Sequence, residues 1–540
     1  MVDYDTIVVG SGAGGLSAAV ALAQSGQKVL VCEQHEVPGG WCHSFTLEGY
    51  RFNTGVHYIG ELGHGERLRE IYEGLGVTGD LVFLEINPDG YDHLCIGPER
   101  FDIPKGKDAY LARLKERFPH EAANIDRLFA TTSDLFWSLN KMLDEEWLAI
   151  FSRPRVLPWF ARTGGALINH YVQDPLLRAI LSAQSGDHGL PPSQVSAAIH
   201  AAVVHHYIEG AYHPLGGGQA IARSFVRALK RAGGELRLQT PVQRILLDGR
   251  QAIGVELPGG ERLYARHIVS DADPWTTFHS LIGRQHLGRR LRRKLARTGY
   301  SAACVSLYLA VNCDLQAMGL DSGNYWLYRH SDIDRIYRLG LTDYAAHNAP
   351  PVLFVTCTTL KDPSKMHRGH HQLELFAFVS YDAFERWEEQ PCGDRDWEYQ
   401  ELKRQISERM LIALDSRFKG IKDAVVFQEL GTPLTNKHYI NAHRGNMYGI
   451  DKSVWQAGPL AFRPESDFRG LYLCGASTMA HGVAYSTLSG LTAAGHILGC
   501  PARKLLRQNG PKLRVFSCDD SSHWPEKMRR RVERKVNSGK

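Results

Sequence analysis

Residues 6–15 and 28–33, Thr6-Ile-Val-Val-Gly10-Ser-Gly12-Ala13-Gly14-Gly15 and Lys28-Val-Leu-Val-Cys-Glu33, decide the fold. A β-branched run ends in a glycine cluster, an alanine-rich stretch follows to Gln24, and a second apolar run begins at Lys28. Strand, glycine turn, helix and strand make one βαβ unit, so the fold class is α/β with a Rossmann-type nucleotide-binding domain. In the GxGxxG pattern Gly10 permits the tight turn and Gly12 lets the backbone approach a pyrophosphate. Gly15 lets the helix pack close to the strand, and the helix N-terminus, with Ala13 and Gly14, faces the negative charge. Glu33, 18 residues after Gly15, stands where a carboxylate accepts hydrogen bonds from both ribose hydroxyls and repels a 2′-phosphate.

At 540 residues the chain exceeds one ordinary core and implies two joined domains. Hydrophobic content of 43% and charged content of 22% suit a globular protein, and no run of about 18 apolar residues could span a bilayer. No secretory signal is read at the start, because the first apolar run, 6–9, is already a strand. The ten cysteines contain no CxxC pair, which argues against a zinc site and for a reducing compartment. The expectation is a cytoplasmic protein, peripheral on a membrane. Net charge is +5, yet residues 501–540 carry 12 Lys or Arg against 4 Asp or Glu, so that segment reads as a basic tail.

The discontinuous boundaries place the nucleotide domain in 1–65, 212–275 and 430–500. A mixed α+β substrate-binding domain takes 66–211 and 276–429, interleaved with the first. Helical periodicity runs over about 108–143, through Ile125, Leu128, Phe129, Leu135, Phe136, Leu139 and Met142. A helix is expected over 219–232, then strands at 235–238, 243–247, 252–257 and 267–270. The region 301–428 is β-rich and interrupted by a helix near 401–414. His205, His206 and Glu209 could suggest a metal pair, but adjacent histidines cannot share one helix face, so no metal is expected.

After Glu33 and Gln34 comes Pro38-Gly39-Gly40-Trp41, then Gly49 to Gly55 and His57. This extension resembles that of FAD enzymes of the amine oxidase and phytoene desaturase superfamily, in which the paired-glycine backbone runs along the flavin and its phosphates. The resemblance implies FAD. Trp41 stands where that superfamily often has arginine, and Asn53 where it often has aspartate. It also implies a flavin contact from Gly475 and Gly482-Val483-Ala484 and an adenine contact from the strand at Val242. No second GxGxxG offers a separate NAD(P)H domain.

The sequence resembles the retinol saturase, carotenoid isomerase and phytoene desaturase group over most of its first 500 residues. His57-Tyr58-Ile-Gly60 and Arg444-Gly445 to Tyr448-Gly449 lean toward the saturases. The similarity implies hydride transfer at flavin N5 to or from a carbon-carbon double bond of a long apolar substrate, a retinoid, carotenoid or unsaturated acyl chain. Saturation is favoured over desaturation or isomerisation. Tyr58, Tyr439, Tyr448 and His481 are the candidates to relay or orient a proton, with core packing as the competing reading of each. A non-catalytic lipid carrier and an amine or porphyrinogen oxidase on the same scaffold are the alternatives. Aromatic and arginine residues mix in 147–160, and with the basic tail they suggest contact with an anionic membrane. Nucleic acid is not expected, for no recognised module accompanies the charge. The oligomeric state is open.

Overall fold

The computed structural model describes residues 2–342, 349–506 and 510–537. Strand Tyr4–Val9 lies between Val29–Cys32 and Arg262–Ser270, all parallel. Glu235–Arg237 extends one side, and Leu471–Leu473 pairs in parallel with the end of Arg262–Ser270. Ile7, Val8, Leu30, Val31, Ile268 and Val269 are fully buried, as both faces of a parallel sheet must be. Helix Ala13–Gln24 is buried from Gly14 to Ala23, which explains its apolar, small-residue composition on every side. Its closest packing is against helix Gly482–Leu498, where a Cβ on Gly490 would lie 1.9 Å from the Gly14 carbonyl.

A second, seven-stranded sheet runs in the order 425–431, 303–311, 371–379, 352–357, 324–328, 92–96, 99–103. It is antiparallel except between 324–328 and 92–96. Alternation sorts its faces: Leu353, Val355, Leu373 and Leu375 pack under helix Trp397–Arg417, while Phe354 and Phe376 turn toward Tyr58 and Tyr207. That second face forms the inner wall of the site.

Two expectations change shape. The 108–143 periodicity resolves into helices Lys107–Arg117 and Ala122–Leu143, divided at Phe118-Pro119 because proline removes a helical N–H and restricts the residue before it. The segment read as a basic tail is folded: Arg514–Ser517 adds a parallel strand to Val82–Glu85, which itself pairs with Tyr212–Pro214. Leu513, Cys518 and Trp524 are buried, and the Trp524 indole N–H donates to the Ser517 carbonyl at 2.7 Å. No helix among the described residues is long and apolar enough to cross a membrane.

Candidate functional site: a nucleotide cradle opening into an aromatic chamber

A long cavity follows the carboxyl ends of the parallel strands, where open α/β sheets bind ligands. Gly10, Gly12, Ala13, Gly14, Glu33, Gln34, Gly39, Gly40, Trp41, His57, Val242, Gly475, Gly482, Val483 and Ala484 all line it. Gly15 does not; a Cβ there would meet the Gly10 carbonyl at 2.2 Å, so it holds helix to strand. Helices Ala13–Gln24 and Gly482–Leu498 both begin at this cavity, with no side-chain cap and no acidic residue in the first turn. Two bare N-termini converging on one crevice favour an anionic ligand.

The Glu33 carboxylate accepts from the Ser11 N–H at 2.8 Å, the Ser11 hydroxyl at 2.6 Å and the His35 N–H at 2.8 Å. These bonds fix its carboxylate at the cavity edge. Glu33→Ala is expected to weaken FAD binding by about 1.5–3 kcal/mol, roughly ten- to a hundredfold. Flavin titration of the apoprotein measures this, and unchanged affinity would remove Glu33 from the site.

Asp271 carries no local motif and was not singled out from the sequence. It follows the central strand Arg262–Ser270, and Cβ atoms built on Gly12, Gly14 and Gly475 would fall 2.4–2.6 Å from its carboxyl oxygens. Burial raises its pKa to about 7, against the Gly15 and Gly12 N–H groups and the Cys474 thiol, which favour the anion. A pyrophosphate in the same cradle would raise it further. FAD affinity is therefore expected to fall as pH rises above about 7, where binding must first restore the proton. Asp271→Asn should flatten that dependence, and parallel pH profiles of the two proteins would contradict it.

Asn53 has a physical account. Its N–H donates to Glu374 at 2.6 Å and its Oδ1 accepts from buried Lys365 at 3.1 Å. Glu374 also bonds His57 Nδ1 at 2.9 Å. A second carboxylate at position 53 would face Glu374 without solvent.

Beyond the cradle the cavity is walled by Val203, Tyr207, Phe354, Phe376 and Met447. Tyr58 stacks on Tyr207 at 4.4 Å, and its hydroxyl lies within hydrogen-bond distance of Asp187 at 2.9 Å and Asp92 at 3.2 Å. Tyr448 packs on His481 at 5.0 Å, and His481 donates from Nε2 to the Asp187 carbonyl at 2.8 Å. That bond leaves Nδ1 as the acceptor nitrogen, and burial lowers the imidazole pKa to about 3, so the ring is neutral. Tyr58, Tyr448 and His481 thus converge around Asp187. Tyr439 does not join them; it is 43% exposed and packs against His35, two residues from Glu33. His205 and His206 diverge: His206 accepts from the Gly60 N–H, while His205 stacks on Phe136. Asp92, Asp187 and Lys361 escaped the sequence reading, since each comes from a different element.

A glycine cradle under paired helix N-termini, opening into an apolar chamber, defines a dinucleotide-binding flavoprotein class. Residues 13–498 match the family described as flavin containing amine oxidoreductase, and the chain belongs to that family. It is 32% identical to an all-trans-retinol 13,14-reductase of Danio rerio, over 92% of this chain and 86% of that one. A prolycopene isomerase of Arabidopsis thaliana is 27% identical over 83% and 74%. Among solved structures, an oxidoreductase from Methanosarcina mazei superposes with a TM-score of 0.62 at 16% identity, covering 90% of this chain and 99% of that one. A putrescine oxidase gives 0.61 at 15%, covering 92% and 99%. The protein is an FAD-dependent oxidoreductase of the α/β class.

Proposed function

We propose that this enzyme saturates a carbon-carbon double bond of a long apolar polyene, with retinoids and carotenoids as the first candidates. The observation that carries the reading is the continuity of the cradle with a chamber walled by Tyr58, Tyr207, Phe354, Phe376 and Met447. The retinol-reductase relatives support the direction. Bound FAD would supply hydride exchange with carbon at N5. The chain's own part is to hold the cofactor along Gly10–Gly14, Glu33, Gly39–Trp41, Val242 and Gly475–Ala484, and to keep water from the alkene. Each methylene buried against the chamber contributes about 0.8 kcal/mol to substrate binding.

The test mixes photoreduced enzyme anaerobically with retinoids, carotenoids and unsaturated fatty acids, and weighs the products. Gain of two hydrogens is the expected result; loss of two with oxidised flavin would replace the reading with a desaturase. Unchanged mass with altered geometry would indicate the isomerisation named in the prolycopene isomerase relatives.

We infer further that the enzyme docks peripherally on anionic membrane. Leu148, Phe151, Trp455 and Leu460 are 83%, 63%, 79% and 52% exposed. The two segments approach each other, for a Cβ on Gly458 would lie 4.0 Å from Met142, and exposed Arg155 follows Phe151 by four residues. Burying each large side chain in lipid is worth roughly 1.5–3 kcal/mol. Leu148→Ser with Phe151→Ser and Trp455→Ser is expected to lower binding to anionic vesicles at least tenfold. Equal sedimentation of variant and parent would exclude this patch as the anchor.

A further inference from the structure

We propose that Asp187 is the acid that protonates the substrate alkene, holding its proton through a hydrogen-bonded chain to Tyr58 and Asp92. The proposal rests on the saturase reading and adds the residue that completes it.

The argument begins with counting protons. The Tyr58 hydroxyl lies 2.9 Å from Asp187 Oδ2 and 3.2 Å from Asp92 Oδ2. One phenol has one proton, so it donates to one carboxyl and can accept only from the other, which must then be protonated. Two buried carboxylates flanking a single hydroxyl also repel, so one of them takes up a proton. Their other neighbours decide which.

Asp92 is fully buried and accepts from the Asn324 side-chain amide at 3.2 Å and the Gln184 amide at 3.3 Å. Lys361, fully buried, donates to Asn324 Oδ1, to Thr356 at 2.7 Å and to the His57 carbonyl at 3.2 Å, placing positive charge behind Asp92. Burial raises the Asp92 pKa to about 6, but these partners keep it below neutral, so Asp92 is the anion of the pair. Tyr58 is the sole hydrogen-bond partner of the Asp187 carboxyl among the described residues, and Asp187 lines the cavity whereas Asp92 does not. The proton accordingly resides on the carboxyl that faces the chamber. Burial and the Asp92 charge beside it push the Asp187 pKa well above the usual carboxylate range, against the Tyr58 hydrogen bond.

The placement of Asp187 is fixed through its backbone carbonyl. His481, first residue before helix Gly482–Leu498, binds the Asp187 backbone carbonyl, so the same helix start that meets the cofactor cradle locates the acid. The other groups facing Asp187 are the phenols of Tyr207, Tyr448, Tyr328 and Tyr337, all held neutral by burial. His481 is neutral as well. Asp92, with Lys361 behind it, is thus the charged neighbour that sets the acid strength.

Saturation adds one hydride and one proton to the two alkene carbons. Bound reduced FAD would supply the hydride with both electrons, and the Asp187 carboxyl gives up its proton as the second carbon-hydrogen bond forms. The product is the dihydro compound, the two electrons having come from the cofactor, and Asp187 is left as a carboxylate. Solvent then returns one proton to it before the next turnover.

The test uses the holoenzyme and its Asp187→Asn and Asp92→Asn variants. Infrared difference spectra near neutral pH, with and without D2O, read the carbonyl stretch of a buried protonated carboxyl independently of turnover. The band is expected in the parent and reduced in D187N by the Asp187 component, what remains being the buried Asp271 carboxyl that Asp271→Asn removes; a band that is unchanged in D187N overturns the proposal. With photoreduced enzyme and a polyene that the parent reduces, D187N should lose at least about 100-fold in rate, the range for a missing general acid, at unchanged flavin content. Asp92→Asn removes the repelling charge, lets Asp187 ionise at lower pH, and so should move the high-pH fall of the rate toward acid. A D187N enzyme that reduces the polyene at the parental rate overturns Asp187 as the acid and leaves the saturase reading intact. A parent that reduces no polyene overturns the saturase reading, and the acid assignment with it.

Discussion

Replacing Trp524 with alanine is expected to destabilise the protein by about 3–5 kcal/mol, the range for deleting a buried tryptophan. The indole is 3% exposed, belongs to the same apolar cluster as Tyr58 and Phe354, and anchors its N–H on the Ser517 carbonyl. Its loss would also loosen strand Arg514–Ser517 from Val82–Glu85 and admit water toward buried Cys518. Denaturant unfolding monitored by circular dichroism measures the loss. Faster reaction of Cys518 with a thiol reagent should accompany it. A destabilisation below about 1 kcal/mol would mean that this segment does not close the core. The same packing makes truncation at Cys500 an unsuitable test of membrane attachment, since it would remove a structural strand together with the charge.

The second large effect is expected at Gly490→Val. A Cβ at this position would stand 1.9 Å from the Gly14 carbonyl and 2.2 Å from Ser17 Oγ, so the two helices must separate. Overpacking typically costs about 1–3 kcal/mol, and backbone on the far side raises that because it cannot rotate away. Gly14 lines the cradle, so displacing it should also empty the site of flavin. The purified variant should be colourless, with a lowered melting temperature that added FAD does not restore. Gly79→Ala, with nothing within 4 Å of the added carbon, is the matched control and should change stability by no more than about 0.5 kcal/mol. A yellow Gly490→Val protein with parental stability would contradict the helix contact.

The cofactor half of the site was legible because its signals are local. GxGxxG follows a strand, opens a helix and precedes Glu33 at the next strand end, and each residue's neighbours in sequence are also its neighbours in space. The proton-bearing half was legible only in part: Tyr58, Tyr448 and His481 stood out as aromatic residues in family-like motifs, but Asp92, Asp187 and Lys361 come from a strand and two short helices far apart in the chain, and tertiary packing alone brings them to Tyr58. Asp271 was hidden for a related reason: its meaning depends on glycines about 200 and 250 residues away that leave room for a carboxyl. In the last forty residues the charge count pointed outward while Leu513, Val515, Cys518 and Trp524 pointed inward. Net charge averages over a segment, whereas docking is decided by the few apolar side chains between the charges.

The contact between helices Ala13–Gln24 and Gly482–Leu498 also has a temporal side. Ser17 donates its hydroxyl proton to the carbonyl of Thr487, 470 residues further along the chain. At ribosomal speeds of roughly 5–20 residues per second, the partner of Ser17 is synthesised roughly 25 to 95 seconds later. For about the first half of that interval the first βαβ unit lacks its neighbouring strand Arg262–Ser270, and for all of it the unit lacks the helix that covers Gly14. The glycine turn reaches its final packing only near the end of synthesis. Nascent chains stalled before residue 470 should therefore retain no FAD, and those extended past 498 and clear of the exit tunnel should begin to capture it.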